Sequence, residues 1–172
     1  MAYHFKDTHL IADATIPVLY AAAMFADAVA ALALGRLFDK IGIRALMLAV
    51  VLSLFFAPLV FAAHGSLTTA LIGMILWGIG MGAQESIVKA EVARLIPAER
   101  RGTAYGLFNT AFGVFWFIGS VMMGYLYDFS LTGLILFSVL SQLVSVLILY
   151  IIHFNLKNDT DAQLNGGTAA EH

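Results

Sequence analysis

The chain has no cysteine among its 172 residues. That removes disulfides, zinc-thiolate sites and thiol nucleophiles, and leaves the redox compartment undecided. Charge is nearly as scarce: Asp, Glu, Lys and Arg make up 12% of the sequence, against about 25% in an average soluble domain. Nine basic and eleven acidic residues give a net charge of -2, with no basic patch dense enough for nucleic acid. No Gly-x-x-x-x-Gly-Lys-Ser/Thr run is present, so nothing supports ATP hydrolysis. No His pair, Ser/Lys dyad or carboxylate pair stands at catalytic spacing, which argues against an enzyme, and no cofactor or metal is implied. A cleaved leader is not evident either, because Lys6, Asp7 and Asp13 interrupt the first fifteen residues.

What the chain has instead is apolar length. Hydrophobic residues form 61% of it and the mean hydropathy is +0.90, values of an integral membrane protein. Crossing about 30 Å of hydrocarbon takes roughly 20 apolar residues as helix, since lipid offers no partner to unpaired backbone groups. Five stretches qualify, near Ile16 to Leu34, Ala45 to Ala63, Leu67 to Lys89, Thr103 to Tyr127 and Leu131 to Phe154. An all-α membrane bundle of five spans is therefore expected, covering residues 16–154. Residues 1–15 form an extracytoplasmic N-terminal segment. Residues 155–172 are polar and without apolar periodicity, and are expected to be a disordered cytoplasmic tail.

Two spans carry ridges of small residues. Ala23, Asp27, Ala31 and Gly35 recur at i, i+4 along the first, and Gly78, Gly82 and Ser86 do so along the third, each suited to close approach of another helix. Orientation follows from Lys and Arg. Arg36, Lys40 and Arg44, then Lys89, Arg94, Arg100 and Arg101, then Lys157 fall in alternate segments, and only Lys6 falls in the others. This bias places the charged loops and the C-terminus in the cytoplasm. Losing or adding a span would scatter the charges.

Few polar residues lie within the spans. Asp27 sits near the bilayer centre, where a carboxylate costs about 2.5–3.5 kcal/mol to insert. It either contacts substrate or carries a proton, or it fastens one helix to another. Glu85 either lines an internal gate or pairs with Lys89 at i, i+4. Asn109 either binds a ligand or joins two helices, and Asp27, Asn109 and Glu85 together form the candidate substrate or proton pathway. Trp77 and Trp116 lie well inside their spans, as core packing or as pathway walls. His64 and His153 stand at span ends as interfacial residues.

Between the first two spans lies Gly35-x-x-x-Asp39-Lys40-x-Gly42-x-Arg44. This turn resembles the signature loop of the major facilitator superfamily of secondary transporters. Pro97-Ala98-Glu99-Arg100-Arg101-Gly102-Thr103-Ala104-Tyr105-Gly106 is similar to a second cytoplasmic loop of that family. The resemblance implies two six-helix halves, of which these spans would be helices eight to twelve in the C-terminal half. Three features favour that half: no buried arginine in the third span, no Gly-Pro pair in the fourth, and the ending Gly124-Tyr125-Leu126-Tyr127-Asp128. It also implies a gating role for Asp39 at the N-terminus of the fourth span near Gly102 and Thr103, where the helix dipole favours an anion. Gly35 and Gly42 would permit the close turn, and Lys40 and Arg44 would hold it at the cytoplasmic face.

The function expected is transport of a small molecule or ion across the plasma membrane by alternating access, as part of a transporter whose N-terminal half is missing here. The alternative is an inactive, structural or regulatory membrane fragment. The lipid bilayer, the solute and the missing half are the expected partners.

Overall fold

Twenty-six residues, Ile16–Ile41, form one uninterrupted helix. Pro17 is tolerated in its first turn, where the missing N–H has no intrahelical partner in any case. The helix ends where Gly42 adopts φ 61°, a left-handed conformation open mainly to glycine, and the Gly42 N–H donates to the Phe38 carbonyl at 2.8 Å. The computed structural model describes residues 1–7, 12–62 and 66–168. His64 and Gly65 lie outside the described residues, as does the end of the tail. Among the described residues, besides a single 3-10 turn at Asp13–Thr15, six helices occur in order: α1 (Ala2–Asp7), α2 (Ile16–Ile41), α3 (Arg44–Phe61), α4 (Leu67–Leu95), α5 (Ala98–Phe129) and α6 (Leu131–Thr168). The last five are long and apolar enough to cross a membrane, α6 over Leu131–Asn155, and no strand occurs among the described residues.

Two boundaries differ from those read in the sequence, for identifiable reasons. The charged stretch from Gly35 to Arg44 is mostly helix, with only Gly42 and Ile43 between α2 and α3. Arg36, Asp39 and Lys40 are compatible with a helix emerging into water, and only the glycine stops it. Beyond Asn155, the backbone of α6 stays helical to Thr168.

Two helices depart from regular α geometry. Pro58 cannot donate to a carbonyl one turn back, and the end of α3 widens into a π-helical turn over Pro58–Ala62. A second π-helical turn, Gln84–Val88, interrupts α4 with no proline to cause it. Between α4 and α5, Ile96 takes the extended φ −111°, ψ 130° that a following proline favours, and Pro97 caps the next turn.

The core is built by α2, α3 and α4. One cluster joins Leu19 and Ala23 of α2 to Phe56 and Val60 of α3 and Met74 of α4, with Phe5 of α1 fully buried beside them. A second cluster joins Ala30 and Leu34 to Ala45, Leu46 and Ala49, and to Ala83 and Ile87. Along α6, Leu134 and Ser138 are buried, and Gln142 accepts a hydrogen bond from Ser53 Oγ of α3 at 3.2 Å. In contrast, no residue of α5 from Arg101 to Phe129 is buried.

Candidate functional site

The two small-residue ridges meet. A methyl group on Gly78 would strike the Ala23 carbonyl, and one on Gly82 would strike the Asp27 carbonyl and lie 2.9 Å from the Ala31 nitrogen. One turn further on, a Cβ on Gly35 would lie 3.1 Å from Ser86 Oγ. Gly35 therefore serves helix contact rather than the turn, which Gly42 makes alone. Backbone approach this close needs residues without side chains, and that is what the i, i+4 repeat supplies.

The seam holds Asp27 in place. Its Oδ1 is buried without a hydrogen-bond partner, and a Cβ at Gly82 would come within 2.8 Å of that oxygen. Asp27 also lies close enough to Glu85 for the two charges to interact. The π-helical turn Gln84–Val88 changes the helix phase between Glu85 and Lys89. The i, i+4 ion pair between them does not form: the one ion pair among the described residues joins Arg94 to Glu91. Glu85 and Lys89 instead line a cavity of about 480 Å³ with Gln84, Asn109 and Ser145, walled by Phe108 and Phe112. The Tyr105 hydroxyl donates to the Lys89 carbonyl at 2.9 Å, tying the start of α5 to the end of the π turn.

A second cavity, of about 830 Å³, opens toward the other end of the bundle. Trp77 and Trp116 both face it, together with Tyr3, Tyr20, Phe61 and Tyr127. The Tyr127 hydroxyl donates to Asp7 Oδ2 at 3.2 Å, and His4 Nδ1 lies 3.1 Å from the same hydroxyl. Burial lowers the His4 pKa most, the nearby N-terminal ammonium adds to this, and Asp7 opposes it. This cluster was not legible in the sequence: its partners are more than 100 residues apart and carry no motif.

The signature residues are placed unevenly. Lys40 and Asp39 are exposed, and a Cβ built on Gly102 meets nothing within 4 Å. Arg44 Nε donates to His153 Nε2 at 3.0 Å, joining the start of α3 to α6 near the end of its apolar span. No group of His, Asp or Glu among the described residues is arranged to hold a metal.

The family model described as Major Facilitator Superfamily matches residues 1–170. The chain belongs to the major facilitator superfamily. It is 34% identical to an uncharacterized protein of Mycobacterium tuberculosis over 152 residues, 88% of this chain and 37% of the relative. An uncharacterized protein of Mycobacterium bovis matches to the same extent. More distantly, an uncharacterized MFS-type transporter of Methanocaldococcus jannaschii is 25% identical over 118 residues, 68% of this chain and 30% of that protein. No solved structure matches. This superfamily member thus spans 37% of the length of its mycobacterial relatives.

Proposed function

We propose that the chain forms the C-terminal half of a secondary transporter that moves a small solute across the plasma membrane by alternating access. Its charged loops and C-terminus face the cytoplasm, and an N-terminal half completes the pathway. One observation carries the reading: the Gly78–Gly82 seam holds Asp27 midway along α2, its Oδ1 buried without a partner and its charge within reach of Glu85. An unpaired carboxyl in a membrane span is costly unless it faces a ligand or a water-filled path. Glu85 in turn lines the cavity that holds Asn109. In this reading Asp27 and Glu85 bind a solute or hand on a proton, and Asn109 orients the solute by hydrogen bonding.

The bare surface of α5 supports a missing half as the other wall of the pathway. Proteoliposomes of the assembled transporter, screened with a solute panel on a solid-supported membrane, test the reading. At least one solute is expected to drive a current that falls at least tenfold in Asp27→Asn. A solute current unchanged in both Asp27→Asn and Glu85→Gln would contradict the assigned pathway.

A further inference from the structure

The larger cavity contains chemistry that a generic solute path does not require. Both tryptophans of the chain line it, and Tyr20 meets Trp77 edge to face with ring centroids 6.2 Å apart. Around Tyr127, Tyr3 stands edge-on at 5.4 Å and Phe61 at 6.5 Å. Aromatic faces carry the negative part of the ring quadrupole and attract cations, tryptophan most strongly. By donating its hydroxyl proton toward the Asp7 carboxylate, Tyr127 makes its own ring more electron-rich. Among the described residues no lysine or arginine lines the cavity, whereas Asp128 does. The basic groups among its described lining residues are His4 and the Met1 amino group, and burial disfavours the charged form of both. Its volume of about 830 Å³ suits a ligand of drug size, within the roughly 300–1,000 Å³ of small-molecule sites.

We infer that this cavity binds a bulky, aromatic or quaternary organic cation, held between Trp77, Trp116 and Tyr127 and charge-matched by Asp128. The inference deepens the transport reading by naming the class of solute, and it rests on that reading only for the translocation step after binding. An anion of the same size would meet ring faces and a carboxylate of its own sign. A neutral aromatic would gain the stacking but lose the electrostatic part.

The two tryptophans provide the readout, since the chain has no other and lipid vesicles add none. Tetraphenylphosphonium and tetraphenylborate, matched in size and opposite in charge, are titrated into the full chain in lipid vesicles, with protein-free vesicles as the partition control. Tetraphenylphosphonium is expected to quench the emission saturably, with tetraphenylborate at least tenfold weaker. Asp128→Asn and Tyr127→Leu are expected to weaken the phosphonium at least threefold each. Leu107→Ala, on the exposed surface of α5 and outside the cavity lining, should leave affinity unchanged. Quenching that rises linearly with both ions, or equal affinity for the two, would overturn the inference. Saturable phosphonium binding with no solute-driven current would sink the transport reading alone, and solute-driven current with no phosphonium binding would sink this inference alone.

Discussion

Single residues decide how closely the helices approach and where they end. Gly82 has no room for a side chain between the Asp27 carbonyl and the Ala31 nitrogen, so Gly82→Ala is expected to cost about 1–3 kcal/mol through forced separation of α2 and α4. Gly113 meets nothing within 4 Å, and Gly113→Ala should be neutral or stabilising by up to about 1 kcal/mol through helix propensity. Denaturant unfolding of the two variants in the same micelle checks the contrast. His4 supplies a pH effect of definite sign. Its folded pKa lies below the unfolded value near 6.5, so the folded state binds fewer protons in the window between them. The contribution is complete above the unfolded pKa and declines as pH falls through the folded one. Protection factors of the α1 amides, which take out the intrinsic slowing of exchange at lower pH, are expected to fall between pH 7.5 and 5, and His4→Gln should flatten that dependence. Of these residues, Gly78 and Gly82 were legible as a ridge because i, i+4 spacing of small residues has one physical use in a span. His4 was not, because nothing local pairs it with Tyr127.

At the level of elements, the five spans could be read directly, since apolar length and charge scarcity leave lipid few alternatives. Two features could not. The Gln84–Val88 π turn has no proline or glycine within it, and it converts an expected Glu85–Lys89 pair into two separate groups on one cavity wall. The charged stretch after α2 reads as a loop if charge is equated with the end of a helix, but charge ends a span without ending a helix. Gly42 is the true break, and Gly42→Ala should destabilise the α2–α3 turn by about 1 kcal/mol by forcing a side chain into φ 61°. Thermal unfolding of that variant beside Gly102→Ala, where a Cβ meets open space, isolates the effect.

At the scale of the molecule, three helices pack as a core, α6 lies against α3, and α5 stands with no residue buried from Arg101 to Phe129. A surface of that kind fits a wall that another part of a transporter would cover. The topology is checked by cysteines introduced at Lys40 and Ser66, which should react with an impermeant maleimide from opposite sides in a chain with no cysteine of its own. Alternating access is tested most directly by two further single cysteines, Asn109→Cys in the smaller cavity and Ser120→Cys in the larger one. Maleimide labelling of each is measured in the assembled transporter, with and without Asp39→Asn. The account predicts that Asp39→Asn shifts the two labelling rates in opposite directions, one rising as the other falls. Rates that move together, or that stay unchanged, would contradict it.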